Sequence, residues 1–185
     1  MVRLFKIGMM FFLLGLAVFL IAHSSSTSYA NQDIRGLLSR VPLSWLERTS
    51  IADISFTYGG RQIGIAHSSV ESFIEFFLRK AAHFFSFMVI GVLSCRLLAY
   101  FFRLHVTMIG SVMIVFLYAV FDEYRQSLVP DRTPLIEDVI LDTMGGLVGI
   151  LAVSLWVIFK RKRQPQQINQ FEATTRMERR QLGQK

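Results

Sequence analysis

Four long apolar runs dominate this 185-residue sequence. A helix crosses the hydrocarbon core of a bilayer with about 20 mostly apolar residues, and the runs cover 4–22, about 81–102, 106–121 and 135–159. Charged residues make up 18% of the chain, whereas an average soluble domain has about 25%. The sequence therefore predicts an all-α membrane protein, a transmembrane bundle of four helices.

Basic residues near the ends of these runs indicate the orientation, because Lys and Arg are enriched on the cytoplasmic side. Arg3 and Lys6 lie at the start of the first run, Arg103 lies in the turn between the second and third, and residues 160–163 follow the fourth. Four spans put these sites on one face. We expect a multi-pass protein of the cell membrane with both termini in the cytoplasm.

The remaining segments divide the chain into four parts. Residues 1–22 form the first span, which resembles a signal peptide but is longer than the usual apolar region of about 7–15 residues, so we expect it to be retained. Residues 23–79 form an extracytoplasmic loop with two short interfacial helices, a β-hairpin that turns at Gly59-Gly60 and an amphipathic lead-in helix. Residues 80–163 hold the other three spans, and 164–185 form a polar cytoplasmic tail.

Ionisable side chains gather at the external ends of three predicted helices, although charges beside a bilayer are costly unless they are paired or hydrated. They lie at the start of the second span, at the end of the third, in the following turn and in the first third of the fourth. We expect them to form one outward-facing binding pocket. Its residues are Lys80, His83, Asp122, Glu123, Gln126, Arg132, Asp138 and Asp142.

Two glycines continue the acidic stripe of the fourth span. Asp138, Asp142, Gly145 and Gly149 recur at helical spacing, and Gly145 to Gly149 is a GxxxG spacing, which permits close approach of helices. The carboxylates and the glycines are therefore expected to point into the bundle together.

The polar motifs resemble those of VanZ-like membrane proteins, a family named after a teicoplanin-resistance accessory protein. The resemblance covers about residues 55–156 and implies a bacterial envelope protein, linked in some members to reduced glycopeptide susceptibility, without a settled biochemical activity. The matching motifs are Lys80-x-x-His83-Phe84, Asp122-Glu123-x-x-Gln126, Val129-Pro130-x-Arg132 and Asp138-x-x-x-Asp142-x-x-Gly145.

Three functions stay open besides a buried ion-pair network that only fixes the helices. The first is binding or shielding of a lipid-linked envelope component or a glycopeptide antibiotic, with Lys80, Arg125 and Arg132 as phosphate-binding cations. The second is an enzyme that modifies such a lipid or precursor, with His83 and either Asp122 or Glu123 as acid and base. The third and weakest is an ion- or proton-coupled transporter, because the sequence has no inverted repeat.

Other classes of partner and cofactor are not expected. The net charge of +7 falls on span ends and the tail, so no nucleic acid is expected as a partner. A metal site from His83, Asp122, Glu123 and Asp138 is a weak alternative without a motif such as HExxH, so we expect neither metal nor cofactor. The bilayer itself is the one partner that the apolar runs require. The single cysteine, Cys95, lies within an apolar run and is interpreted as a packing residue.

Overall fold

The fold is described from a computed structural model that covers the backbone of residues 1–130 and 132–182 and the side chains of 1–28, 31–130 and 132–160. Within these ranges the chain forms five α-helices, two short 3₁₀ segments (Tyr29–Gln32 and Ser44–Arg48) and one hairpin. The helices are α1 (Val2–Ser25), α2 (Arg35–Leu38), α3 (Val70–Leu98), α4 (Leu104–Ser127) and α5 (Ile136–Leu182), and the strands are β1 (Ser55–Tyr58) and β2 (Arg61–Gly64). The side chains of the predicted tail, 164–185, lie outside this description.

The described part of the chain holds four helices that are long and apolar enough to cross a membrane: α1, α3, α4 and the Ile136–Lys160 part of α5. Many of their large apolar side chains are exposed, as lipid-facing residues are; Phe5, Phe12 and Phe19 of α1 are examples. The prediction of a four-helix membrane bundle is confirmed. α3 begins at Val70, well before its apolar run, where the Ser69 side chain caps it by accepting a hydrogen bond from the Ser72 N–H.

Glycines bring α3 and α5 into close contact. A Cβ atom on Gly145 would lie 2.2 Å from the Phe84 carbonyl oxygen, and one on Gly149 would lie 2.2 Å from the Met88 carbonyl oxygen. Only residues without a side chain allow the two backbones to approach this closely. α4 and α1 complete the bundle against this pair. The buried apolar core consists of Ile21, Phe87, Ile90, Cys95, Val115, Ala119 and Ile150.

The hairpin lies at one end of the bundle, together with the first residues of α3 and α5 and the last residues of α1 and α4; we call this the hairpin end. β1 and β2 pair antiparallel, with Phe56 opposite Ile63. Gly59 and Gly60 form the turn with φ of +57° and +74°, the left-handed conformation that two-residue hairpins require. Gly59 also lies against Leu135, where a Cβ would come within 2.6 Å of the leucine side chain. The turn therefore packs directly on the start of α5.

Candidate functional site

Four of the eight predicted pocket residues line a cavity of about 300 Å³ at the hairpin end: Lys80, Gln126, Arg132 and Asp138. The hairpin forms one wall, α3 and the residues before α5 form the others, and we call this space the basic cavity. Its cations outnumber its one acid, Asp138. The other lining residues are Tyr58, Gly59, Arg61, Gln62, Ile63, Ser68, Ser72, Phe73, Phe76, Arg79, Thr133 and Leu135.

A compact polar contact joins the hairpin, α3 and α5 at the cavity wall. The Lys80 ammonium and the Tyr58 hydroxyl both donate to Oδ1 of Asp138, each at 2.5 Å. The ammonium also lies 4.8 Å from the centre of the Tyr58 ring, within cation–π range. Burial and the hydrogen bond to Asp138 raise the pKa of Tyr58 above its ordinary value. Tyr58 is therefore a neutral hydrogen-bond donor that fixes the hairpin on the bundle.

Arg132 crosses from the turn before α5 to the residues that follow α1. Its guanidinium donates to Oε1 of Gln126 at 2.9 Å, to the Thr27 carbonyl at 2.8 Å and to Oε1 of Gln32 at 2.7 Å. All three acceptors are neutral, and Nε has no hydrogen-bond partner among the described residues. Burial lowers the pKa of Arg132 from its ordinary value, but an arginine pKa is high enough to keep the charge. The positive charge of Arg132 is therefore not cancelled by a carboxylate contact within the described chain.

Three further predicted residues lie deeper in the bundle, where α3, α4 and α5 meet. One ligand-type atom from each of His83, Asp122 and Asp142 lies within 4.8 Å of the others. Both aspartates are fully buried, and Nδ1 of His83 is 3.4 Å from Oδ2 of Asp142. We call these three residues the core triad.

Gln126 connects the basic cavity to the core triad. Its amide oxygen accepts from Arg132, and its amide nitrogen donates to Oδ2 of Asp122 at 2.9 Å. The same carboxylate oxygen accepts from the Ser25 hydroxyl at 2.8 Å. The eight predicted residues thus do not line a single space, because the cavity and the triad are separate groups joined through one glutamine.

Glu123, the eighth residue, has a structural contact. Its Oε2 accepts a hydrogen bond from the Leu135 backbone N–H at 2.8 Å, at the point where the chain turns into α5. Its other oxygen has no hydrogen-bond partner among the described residues. Arg125, expected among the phosphate-binding cations, instead donates to the Ala22 carbonyl at 2.8 Å and to the Ser26 hydroxyl. It holds the end of α1 and does not line the basic cavity.

Several contributing residues were missed from the sequence. A two-stranded hairpin is marginal alone in water, which predicts that it rests on the membrane-facing parts of the protein, but no sequence pattern predicts Tyr58 and Arg61 in the site. Ser25 was assigned to a loop, yet it lies in α1 and contacts Asp122. The signal for Ser25 was present, because Val18, Ile21 and Ser25 continue one helical face, whereas no local pattern shows which surface a hairpin side chain meets.

The fold and the site together define a multi-pass helical membrane protein with a polar cleft at one end. A family model described as VanZ/LLP1 matches residues 8–160, most of the chain. The chain belongs to this VanZ-like family, and the resemblance predicted from its polar motifs is confirmed. No curated protein and no solved structure matches the chain.

Proposed function

We propose that this VanZ-like protein binds a phosphate-bearing, lipid-linked envelope component in the basic cavity. The observation that carries the proposal is the charge of that cavity, which Arg61, Arg79, Lys80 and Arg132 line with Asp138 as the only acid. Arg79 is paired with Glu75 and Lys80 with Asp138. Arg61 and Arg132 make no ion pair within the described residues, so they offer uncompensated charge to an anion.

The apolar part of the cavity wall favours an amphiphile over a soluble anion. Phe73, Phe76, Ile63 and Leu135 lie on the same cavity as the arginines. A volume of about 300 Å³ is at the lower end of the range for small-molecule sites, so it suits a headgroup and the first part of a chain. A lipid with a phosphate next to an apolar chain has both of the required properties.

The location at the cell surface completes the proposal. From the basic residues near the span ends we infer that both termini lie in the cytoplasm, so that the hairpin end faces outward, where lipid-linked wall precursors and glycopeptide antibiotics meet. Binding of the protein to such a precursor, or directly to the lipid-like part of the antibiotic, would lower susceptibility to teicoplanin-type glycopeptides. The family resemblance supports this outcome.

The decisive variant is Arg61→Gln, because the Arg61 side chain lines the cavity, is exposed and makes no hydrogen bond or ion pair with another described residue. It removes a cation from the cavity without breaking an internal contact. We expect the purified protein in detergent to bind a polyprenyl diphosphate, with the affinity measured by thermophoresis. Arg61→Gln should weaken this affinity about three- to tenfold, because the variant loses one partly exposed charge-assisted contact. Arg48→Gln, an exposed arginine away from the cavity, is the matched control. Equal affinity for the polyprenol without phosphate would contradict the proposal.

A second function is favoured by one specific contact, the 3.4 Å separation of His83 Nδ1 and Asp142 Oδ2 in the core triad. A partly buried imidazole oriented by a carboxylate is a common arrangement for acid–base catalysis. The alternative is therefore an enzyme that modifies an envelope lipid or precursor. A covalent difference between the lipid-linked precursors of cells with wild-type protein and with His83→Ala, found by mass spectrometry, would favour the enzyme. Unchanged precursors with altered teicoplanin susceptibility would favour binding.

A further inference from the structure

The core triad contains more buried negative charge than its contacts compensate. Asp122 and Asp142 are fully buried inside the bundle. Oδ1 of Asp122 and both oxygens of Asp142 have no hydrogen-bond partner among the described residues. Burial of carboxylates without compensation is strongly unfavourable, so a positively charged or hydrogen-bonding occupant would stabilise the site.

The nearby basic side chains do not supply that compensation. Lys80 contacts Asp138, at 2.5 Å, and Arg132 donates to neutral acceptors. Within the described chain, the one contact between a basic side chain and a triad carboxylate is the 3.4 Å approach of His83 Nδ1 to Asp142 Oδ2, which is an ion pair only when the imidazole is protonated. Asp122 has no such contact, so its Oδ1 and both oxygens of Asp142 stay available as ligand atoms.

We propose that the core triad binds one divalent transition-metal ion, Zn²⁺ or Mn²⁺. A neutral imidazole and two carboxylates carry a charge of −2, which one divalent ion cancels inside the low-dielectric bundle. An imidazole nitrogen with carboxylate oxygens is a ligand set for these ions, whereas Ca²⁺ and Mg²⁺ prefer oxygen ligands alone. The three ligand atoms already lie within 4.8 Å of one another.

The surroundings of the triad support a metal site in two ways. Ser25 and Gln126 both donate to Oδ2 of Asp122, which fixes the carboxylate and leaves Oδ1 free, as outer-shell hydrogen bonds do in metal sites. A small cavity of about 130 Å³ lies against His83 and Ser25. Of the three triad residues, His83 lines that cavity, so there is room for water next to one of the proposed ligands. Its other lining residues are Leu20, Ile21, Ser24, Ala82 and Ser86.

The site would join three helices of the bundle through one ion. His83 comes from α3, Asp122 from α4 and Asp142 from α5. An ion that binds only the assembled bundle stabilises it, by an amount that rises with the logarithm of the ion concentration once that concentration exceeds the dissociation constant. Metal binding should therefore be measurable both as the number of ions bound per chain and as an increased resistance to unfolding, without any assay of function.

The test uses the full-length protein, purified in detergent without a polyhistidine tag and stripped with a chelator. Zn²⁺ and Mn²⁺ are titrated separately by calorimetry, and the midpoint of thermal unfolding is measured with and without each ion. We expect one ion per chain and a higher unfolding midpoint. Asp142→Asn should weaken the binding at least about tenfold, whereas the matched control Glu137→Gln, an exposed carboxylate in the first turn of α5, should change it less than about threefold.

The outcomes separate this site from the basic cavity. Failure of both ions to bind at one per chain, or an unchanged affinity in Asp142→Asn, overturns the metal site. If Asp142→Asn does not fold, His83→Gln provides the same comparison, and the stoichiometry of the wild-type protein stands as an independent test. Arg61→Gln should bind the metal normally, so loss of lipid binding and loss of metal binding are distinguishable.

Discussion

Glu75 shows how single side chains attach the loop of residues 26–69 to the membrane helices. It is 2% exposed and accepts a hydrogen bond from Arg79 at 2.6 Å, while Arg35 lies 3.7 Å from its second oxygen. Arg35 also donates to Asp33, and these hydrogen bonds lower the pKa of Asp33 to about 2. Asp33, Arg35, Glu75 and Arg79 therefore form a charged network between the loop and α3.

Replacement of Glu75 should destabilise the protein. Glu75→Gln keeps the shape of the side chain but removes the charge that two arginines face, so we expect a loss of about 1–3 kcal/mol in unfolding free energy. Denaturant unfolding in detergent measures it. Glu71→Gln, one turn earlier on α3 with no contact of this kind among the described residues, is the matched control and should change stability by less than about 0.5 kcal/mol. Equal effects of the two variants would show that the network adds no stability.

At the scale of single residues, the sequence predicts the acids of the bundle better than their partners. Asp122, Asp138 and Asp142 were recognisable because a charge within an apolar helix must avoid lipid. Glu71, Glu75 and Arg79 recur at i, i+4 and i+8, which predicts a polar stripe on the amphipathic lead-in helix and gives no sign that Glu75 is buried. Its burial depends on a loop that packs over α3, and local periodicity contains no information about that contact.

At the scale of the elements, the approach of α3 and α5 determines how the site is assembled. The glycine contacts of α5 fall on α3 within two turns of His83, so the same interface that brings the backbones together also sets the distance between the triad side chains. The GxxxG spacing was visible in the sequence. Which helix would meet it was not, because every span offers an apolar face of similar composition.

Gly149→Ala tests this interface. The new Cβ would lie 2.2 Å from the Met88 carbonyl oxygen, and backbone cannot move aside as a flexible side chain does, so we expect a loss of about 1–3 kcal/mol in unfolding free energy. Gly15→Ala in α1 is the matched control, because no described atom of a neighbouring element lies within 4 Å of the position that its new Cβ would take. It should be neutral or slightly stabilising, since alanine favours a helix over glycine by about 1 kcal/mol. The same loss in both variants would contradict close packing as the cause.

At the scale of the whole molecule, charge is distributed unequally between the two ends. Among the described residues, the end opposite the hairpin carries cations near the span ends without acids: Arg3, Lys6, Arg96, Arg103 and Lys160. Arg96 and Lys160 lie 5.3 Å and 5.2 Å from the Trp156 ring, an arrangement suited to the headgroup level. At the hairpin end, Arg35, Arg79 and Lys80 are engaged with carboxylates.

This charge asymmetry predicts the orientation of the bundle in the membrane, on which the proposed function depends. Basic residues beside short turns remain in the cytoplasm, so Arg103 should be inside and the hairpin end outside. The test introduces one cysteine at a time, Asp53→Cys or Phe102→Cys, both at exposed positions and the second in the turn that keeps Arg103, in a Cys95→Ser background. A membrane-impermeant maleimide should label the first variant in intact cells and the second only after permeabilisation. The reverse labelling pattern would place the basic cavity on the cytoplasmic side, where it could not meet an external antibiotic. Any lipid bound by the cavity would then have to be presented on the cytoplasmic side of the membrane.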